Sequence, residues 1–243
     1  MALLRRHKYI VAALAIYWPA LFIVTHIPIP EIARKSGLSD KAMHFLAYLV
    51  LVSLTWLAIS PYSKVQWGKV KCWLVLAGVV WYGAIDEWLQ GRVGRNADVH
   101  DFVADLLGAF FGLVVLSVFS FWPALLVTSA SVIFAMTNFS RAALIGGSAV
   151  INTAFYFVAY LFLTLVWVQY LDRNEFLSER FGKGSRWFGA AIGGPVLLLG
   201  AVKICSVFMG RVIWWTDFLT AAAAIVCAVA VSYFVTRMLW QEE

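Results

Sequence analysis

Charge is the scarcest feature of this 243-residue chain. Lys, Arg, Asp and Glu together make up 13% of the residues, whereas 63% are hydrophobic and 16% are aromatic. A soluble globular domain carries roughly 25% charged residues, so this sequence lacks the polar surface that a water-exposed fold needs. The composition therefore predicts an integral membrane protein, and the length allows several spans of about 20 residues each.

Paired cysteines and basic stripes are also missing from the sequence. The three cysteines form no CxxC pair and lie in or beside apolar runs; they are Cys72, Cys205 and Cys227. Free cysteine in such runs packs like a small hydrophobe, so a zinc or redox role is not expected. The net charge of +6 comes without a basic stripe. We therefore expect no nucleic-acid binding and assign the basic residues to membrane topology and anionic lipid.

Eight apolar segments are candidates for transmembrane helices. They cover residues 8–27, 43–60, 72–90, 101–121, 123–138, 149–171, 187–209 and 216–239. This pattern predicts an all-α integral membrane protein, a polytopic bundle of about eight transmembrane helices. The N-terminus has the basic start of a signal peptide but no small-residue cleavage site before the prolines, which favours an uncleaved first span. The fifth segment is short enough to be re-entrant or tilted instead of a full span.

Basic residues favour one orientation of the chain in the membrane. With the N-terminus in the cytoplasm, eleven of the nineteen Lys and Arg residues fall on the cytoplasmic side and eight fall on the other side. Cytoplasmic loops are enriched in these residues, so both termini are expected in the cytoplasm. The expected location is the bacterial plasma membrane.

The chain divides into two parts by chemistry. Residues 1–122 hold almost all of the unusual polar positions and are expected to form a four-helix membrane domain. Residues 123–243 are expected to form a second membrane unit of about four helices, with no assigned role. Their one charged loop, residues 172–186, is expected to be a solvated connection. Asp217 is interpreted as a residue that begins a helix.

Acidic residues are concentrated where three of the predicted helices begin or end. Five of the thirteen acids in the chain lie within residues 85–112. The polar residues at these helix ends are, in chain order, Asp40, Lys41, His44, Asp86, Glu87, Gln90, Asp98, Asp101 and Asp105. The second, third and fourth spans are antiparallel and joined by short loops. We therefore expect their polar ends to meet at the extracytoplasmic face of the membrane.

Helical spacing places several of these residues on shared faces. Asp101 and Asp105 are one helical turn apart, and Gly108 and Gly112 continue the same face. The two glycines form a small-xxx-small pattern, which allows another helix to approach closely. Asp98 precedes the fourth span, where the unpaired N–H groups of a helix N-terminus favour a carboxylate.

Carboxylates at membrane depth cost at least about 2.5 kcal/mol each on insertion scales, which makes them candidates for a functional site. One hypothesis is a structural network in which Arg95 and Lys41 neutralise the acids. The other hypothesis is a phosphate site, in which carboxylates bind Mg²⁺ or Ca²⁺ and basic side chains hold the phosphate oxygens. At a membrane surface, the phosphate belongs to a lipid headgroup or to a polyprenyl phosphate.

The phosphate hypothesis assigns a role to each polar residue. The candidate metal ligands are Glu87, Asp98, Asp101 and Asp105. The candidate substrate-binding residues are Lys41, Arg95, Gln90 and Asp40. The candidate catalytic residues are His44, Glu87, Asp101 and Asp98. His44 is the candidate general acid or base because imidazole titrates near neutral pH, although a hydrogen-bonded structural role is open to it as well. His100 is a weaker candidate, and His7 and His26 receive no role.

Three motifs in this region resemble those of the VanZ-like membrane proteins. They are DKAMH (40–44), EWLQ (87–90) and RNADVHDFVADLLGAFFG (95–112). The family is marked by a D-K-x-x-H start, an E-x-x-Q helix end and an R-x-x-D-x-x-D-x-x-x-N-x-x-G-x-x-x-G run. The matching residues here are Asp40, Lys41, His44, Glu87, Gln90, Arg95, Asp98, Asp101, Gly108 and Gly112. The chain departs from the pattern at Asp105, where the family usually has Asn.

The resemblance covers about residues 1–120 and implies a role in the cell envelope. The name-giving member is associated with low-level teicoplanin resistance, and other relatives appear beside envelope and exopolysaccharide functions. Two functions remain open: an enzyme that acts on a lipid phosphate or a polyprenyl-phosphate-linked substrate, and a non-catalytic protein that binds a lipid precursor, an antibiotic or a partner protein. A transporter or proton relay is a third, which the lack of internal inverted repeats disfavours.

Overall fold

The computed structural model describes residues 2–26, 40–61, 63–93, 98–138, 149–181, 184–210 and 214–239. Within these ranges the chain forms nine α-helices and no strand. In chain order they are α1 (Ala2–His26), α2 (Asp40–Ile59), α3 (Val70–Gln90), α4 (Val99–Val118), α5 (Phe121–Asn138), α6 (Ala149–Arg173), α7 (Glu175–Phe181), α8 (Ser185–Phe208) and α9 (Trp215–Leu239). All of these helices except α7 are long and apolar enough to cross a membrane. The protein is therefore an all-α integral membrane protein, as the sequence predicts.

Each of the eight predicted spans corresponds to one long helix, with ends that differ by a few residues. The short fifth segment is a continuous helix, α5, of 18 residues. At a rise of 1.5 Å per residue, α5 is about 27 Å long, close to the roughly 30 Å thickness of the hydrocarbon core. Continuous helices suit this environment because each helix satisfies its own backbone hydrogen bonds.

The charged loop after α6 contains a short helix. The sequence leads us to expect a solvated connection over residues 172–186, and the structure forms α7 within it. Asn174 precedes this helix, and its Oδ1 accepts the N–H of Leu177 at 3.1 Å, as expected of a residue that caps a helix N-terminus. Leu177 and Phe181 pack against the cluster around Trp187. The connection is therefore partly packed rather than fully solvated.

Two compact units divide the chain within α5: unit 1 is Met1–Thr128 and unit 2 is Ser129–Glu243. The boundary expected from the sequence, after residue 122, also falls within α5. Unit 1 contains α1 to α4 and the first part of α5. Unit 2 contains the rest of α5 and α6 to α9.

In unit 1, α2 is the central helix. It packs most extensively against α4 and also contacts α1 and α3. Tyr48, Val52 and Trp56 of α2 and Leu113 of α4 are buried in the shared apolar core. The two helices approach closely because the face of α4 that meets Val52 carries Gly112, where a Cβ atom would overlap the valine side chain.

Lysines bind the helix ends that lie away from the acidic residues. Lys64 Nζ donates to the carbonyl of Val118 at 2.6 Å, and Lys71 Nζ donates to the carbonyl of Ile59 at 3.1 Å. These carbonyls belong to the last turns of α4 and α2, where a helix leaves its C=O groups unpaired. Lys64 and Lys71 therefore lie at the end of unit 1 opposite the acidic residues.

In unit 2, α6 packs mainly against α9 and also against α8. The indole of Trp167 in α6 lies against Gly194 of α8, and its Nε1 donates to the carbonyl of Ala190 at 2.9 Å. Lys203 of α8 and Asp217 of α9 are both buried, with Nζ and Oδ2 4.0 Å apart. Asp217 lies in the first turn of α9, as the sequence predicts. The ion pair couples that turn to α8.

Candidate functional site

Four helix ends of unit 1 meet at one end of the bundle, which we call the polar end. They are the C-terminal ends of α1 and α3 and the N-terminal ends of α2 and α4. The residues of the polar end are Thr25, His26, Asp40, Lys41, His44, Asp86, Glu87, Gln90, Asp98, Asp101 and Asp105. The structure thus brings together the site residues expected from the sequence, apart from Arg95, which lies outside the described residues.

A histidine and a carboxylate pair across the interface between α2 and α4. Asp40 and His44 are one turn apart on α2, and Asp101 and Asp105 are one turn apart on α4. His44 Nδ1 donates to Asp105 Oδ1 at 2.9 Å, and the two side chains are only 5% and 1% exposed. Because an ionised carboxylate can only accept, this bond places the proton of a neutral imidazole on Nδ1. The lone pair is then on Nε2.

Lys41 lies at the solvent-facing rim of the polar end. Its Nζ is 3.2 Å from Asp98 Oδ2 and 3.7 Å from Asp101 Oδ1. About half of the Lys41 side chain is exposed, whereas Asp101 is buried. Lys41 therefore places a positive charge between the solvent and the buried carboxylate of Asp101.

Asp98 organises the start of α4 and contacts α3. Its Oδ1 accepts the backbone N–H of His100 at 2.9 Å and also lies 2.8 Å from the imidazole Nδ1 of that residue. These bonds, the backbone bond first, together with Lys41, hold the pKa of the Asp98 carboxyl well below its usual range. The backbone N–H of Asp98 donates to Glu87 Oε1. Asp98 is thus the N-terminal cap that the sequence predicts, and it fixes the position of Glu87.

Asp86 forms a separate network that joins α1 to α3. Its Oδ1 accepts from the hydroxyl of Thr25 at 3.1 Å, and its Oδ2 accepts from Gln90 Nε2 at 2.8 Å. His26 Nδ1 is 3.6 Å from Oδ1, and the hydroxyl of Tyr82 is 3.5 Å away. Gln90 thus supports Asp86, and its expected role in substrate binding stays a prediction. Sequence reasoning gave Thr25 and His26 no role, because nothing in the sequence showed that the end of α1 meets α3.

Three buried carboxylates have an oxygen without a hydrogen bond. Among the residues that the structure describes, no donor lies within hydrogen-bond distance of Glu87 Oε2, Asp101 Oδ1 or Asp105 Oδ2. The exposed fractions of these side chains are 7%, 5% and 1%. A buried charged oxygen without a partner carries the full cost of its lost hydration. These three atoms therefore indicate that the described protein groups alone do not complete the site.

Carboxylates outnumber basic side chains at the polar end. Six acids lie in its described part, and Lys41 is the one lysine that forms ion pairs with them there. Arg92, in the turn after α3, stacks its guanidinium over the exposed ring of Trp88 at 4.1 Å. Four of the six acids are buried. With every carboxyl ionised, the described residues leave a net negative charge at the polar end.

Three side chains place possible metal-donor atoms close together. Asp40, His44 and Asp101 each offer one such atom, and these atoms lie within 4.8 Å of one another. The set expected from the sequence was Glu87, Asp98, Asp101 and Asp105, and only Asp101 is common to both sets. In the structure, the backbone N–H of Asp98 donates to Glu87 Oε1 across the ends of α3 and α4.

No protein-family model, curated protein or solved structure matches this chain. The resemblance to VanZ-like proteins therefore rests on the three sequence motifs.

Proposed function

We propose that this chain is a membrane protein of the cell envelope that binds, at its polar end, the phosphate of a membrane lipid or of a polyprenyl-phosphate-linked molecule, and acts on that headgroup. The observation that supports this most directly is the position of Lys41. Its ammonium group lies at the exposed rim, within 3.2 Å of Asp98 and 3.7 Å of Asp101. A phosphate that reaches the rim from the lipid surface meets a positive charge there, directly above a buried polar site.

The charge of the polar end requires a cation as well. A phosphate near buried carboxylates such as Glu87 and Asp105 is repelled, because unit charges a few ångströms apart interact by several kcal/mol in a partly dry site. A divalent cation between the carboxylates and the phosphate removes this repulsion and binds both. Mg²⁺ and Ca²⁺ are the ions that an all-carboxylate ligand set favours. Lys41 then holds a further phosphate oxygen.

Two chemical roles are open to His44 in this function. Asp105 orients the ring through Nδ1, and a carboxylate in that position supports an imidazole that accepts a proton. The same arrangement also supports an imidazole that binds a metal through Nε2. In the catalytic version, Asp101, Asp98 and Glu87 position the metal and substrate around the phosphorus.

The proposed location is the outer face of the bacterial plasma membrane, with the polar end extracytoplasmic. The position of Lys64 and Lys71 at the opposite end of unit 1 supports this orientation, because lysines are enriched on the cytoplasmic side. Membership of the VanZ-like family is part of the proposal and carries the expectation of an effect on teicoplanin susceptibility. His44→Ala and Asp101→Asn variants are expected to lose that effect while inserting normally.

A non-catalytic function is the second candidate, and the Asp86 network favours it. Both oxygens of Asp86 accept hydrogen bonds, from Thr25 and Gln90, as expected of a carboxylate that only joins helices. In this alternative, the polar end binds a lipid precursor, an antibiotic or a partner protein, and performs no chemistry. Mass spectrometry of the lipid distinguishes the two: an enzyme alters the headgroup, whereas a binding protein returns it unchanged.

The proposed function is tested by lipid binding to the purified protein in nanodiscs. The nanodiscs contain neutral lipid with or without a polyprenyl phosphate, and binding is measured by native mass spectrometry in Mg²⁺. Lys41→Gln is expected to weaken binding about tenfold or more, because a hydrogen bond from a charged group contributes about 1.5–3 kcal/mol. Lys41→Arg is expected to keep most of the affinity.

Lys69→Gln is the matched control. Lys69 is exposed, precedes α3 at the opposite end of unit 1, and makes no side-chain hydrogen bond that caps the helix. Its loss should leave binding at the wild-type level. Equal affinity in the Lys41→Gln and wild-type proteins, both correctly folded, would contradict the proposed function.

A further inference from the structure

We propose that Asp40, His44 and Asp101 bind a divalent first-row transition ion, of the Zn²⁺ or Mn²⁺ class, and that Asp105 orients His44 as a ligand. This inference deepens the proposed function by naming its cation and its ligands. It replaces the all-carboxylate Mg²⁺ or Ca²⁺ site expected from the sequence. It also assigns His44 to the metal rather than to proton transfer.

The first support is the position of the three donors on two helices. Asp40 and His44 are one turn apart on α2, so both side chains lie on the face that meets α4. Asp101 is in the first turn of α4, and its carboxylate completes a group of donor atoms within 4.8 Å of one another. Ligands bound to a common ion at about 2.0–2.2 Å each are separated by up to roughly twice that distance. Small side-chain rotations therefore bring all three donors onto one ion.

The second support is the bond between His44 and Asp105. Histidines that bind metals almost always donate the other ring N–H to a carboxylate, a carbonyl or water, which fixes the tautomer and makes the ligand more basic. Here His44 Nδ1 is 2.9 Å from Asp105 Oδ1. Asp105 lies one turn below Asp101 on α4. One helix thus supplies both a metal ligand and the carboxylate that orients the ligand on the other helix.

The third support is independent of the donor set. Glu87 is 7% exposed, and its Oε2 has no hydrogen-bond partner among the described residues. Its carboxylate is close enough to interact electrostatically with His44 and Asp101. Asp105 Oδ2, in a side chain 1% exposed, also lacks a described partner. A cation held between α2 and α4 offsets the negative charge that these two buried side chains add.

Lys41 does not supply this positive charge inside the site. Its side chain is about half exposed, and its shorter contact is with Asp98 at the rim. The 3.7 Å separation from Asp101 Oδ1 is longer than a hydrogen bond. An ion on the buried side of Asp101 and a lysine on its exposed side are therefore compatible.

The ligand chemistry selects the class of ion. Mg²⁺ and Ca²⁺ take oxygen ligands, whereas an imidazole nitrogen beside carboxylates suits first-row transition ions. Three protein ligands leave at least one coordination position for another group, as in catalytic zinc sites. A phosphate oxygen that is also bound by Lys41 fits that position, because Lys41 and the ion would both contact Asp101.

The experiment measures metal binding to the full chain, purified in detergent without a histidine tag and stripped with a chelator. Zn²⁺, Mn²⁺ and Mg²⁺ are each added alone, and binding is followed by calorimetry and by elemental analysis after desalting. We expect one Zn²⁺ or Mn²⁺ per chain and at least tenfold weaker Mg²⁺ binding. His44→Ala and Asp101→Asn should abolish the site, whereas Asp105→Asn should weaken it about 10- to 100-fold.

His100→Ala is the matched control, because His100 is an exposed histidine within the same helix start. It should bind metal like the wild type. Stoichiometric metal binding that persists in folded His44→Ala protein would show an adventitious ion and overturn the inference. Absence of Zn²⁺ and Mn²⁺ binding to the wild-type chain would overturn it as well.

A spectroscopic measurement keeps the inference testable if the variants fail to fold. Electron spin echo of Mn²⁺ bound to the wild-type protein should show coupling to one imidazole ¹⁴N nucleus, and its absence would contradict the assignment of His44.

Measurements of lipid binding distinguish this inference from the proposed function. Binding of the polyprenyl phosphate with Mg²⁺ but not with Zn²⁺ or Mn²⁺ would sustain the function and overturn this inference. Metal binding through His44 and Asp101 without any lipid binding would support this inference and overturn the proposed function.

Discussion

The α-carbon of Gly108 in α4 lies against the carbonyl group of Phe45 in α2, and no space for a side chain remains between them. Phe45 follows His44 in the chain, so this contact occurs one residue from the imidazole that meets Asp105. This close contact of the two helices and the buried part of the polar end are therefore adjacent. Gly108, together with Gly112 one turn further along α4, allows the two helices to approach closely enough for their polar side chains to interact.

Gly108→Ala is expected to separate α2 from α4 and to lower the stability of the protein. The new Cβ would overlap backbone atoms of Phe45, which cannot move aside as a side chain does. Overpacking of this kind costs about 1–3 kcal/mol. The measurement is the midpoint of thermal unfolding in detergent, followed by tryptophan fluorescence. Gly78→Ala in α3 is the control, because no described atom lies within 4 Å of its added Cβ; equal midpoints for the two variants would contradict the prediction.

Two adjacent glycines of α8 should respond differently to the same substitution. A Cβ at Gly194 would overlap the indole ring of Trp167, whereas a Cβ at Gly193 meets no described atom within 4 Å. Gly194→Ala should therefore lower the unfolding midpoint of unit 2 and shift tryptophan emission. Gly193→Ala should leave both unchanged or slightly raise the midpoint, because alanine favours helix over glycine by up to about 1 kcal/mol. A loss of stability in Gly193→Ala alone would refute this assignment of the α6–α8 contact.

The effects of substituting Lys203 and Asp217 on the stability of the protein should depend on each other. Lys203→Met leaves Asp217 buried without its partner at 4.0 Å, and breaking a buried ion pair in this way costs about 3–5 kcal/mol. The double variant Lys203→Met/Asp217→Leu removes both charges and should recover much of the lost stability. Thermal unfolding of the wild type, both single variants and the double variant measures this coupling. Additive losses in the double variant would show that the two side chains do not interact.

Thr25→Val should weaken the junction between α1 and α3 without impairing phosphate binding. The substitution preserves the side-chain shape and removes the hydroxyl that donates to Asp86, which costs about 1–3 kcal/mol for a buried charged acceptor. Thr55→Val is the control, because the Thr55 hydroxyl donates only within its own helix, to the carbonyl of Leu51, among its described bonds. The measurements are thermal stability and polyprenyl-phosphate binding at a temperature where both variants are folded. Loss of lipid binding in Thr25→Val would place the Asp86 network in the binding site and reject its purely structural role.

The sequence by itself determined the membrane fold and the local structure of each span. Backbone N–H and C=O groups must be satisfied within a helix inside lipid, so eight apolar segments of sufficient length specify eight helices. The helix start at Asp98 was also predictable, because capping depends on neighbours within a few residues. The spacing of Gly108 and Gly112 predicted a helix face without side chains. The sequence did not predict that the backbone of α2 at Phe45 packs against this face.

Only the tertiary structure decided which polar groups meet. Spacing within one helix indicates which side chains share a face, but not how that helix is rotated and shifted against its neighbours. Those two variables depend on contacts between distant residues, such as Gly108 with Phe45 and Thr25 with Asp86. The rotation of α2 and α4 brings Asp40 and His44 to Asp101. Where the ends of α3 and α4 meet, Glu87 bonds to the backbone of Asp98. The packing of small and apolar residues sets the position of each helix, and that position determines which polar groups meet.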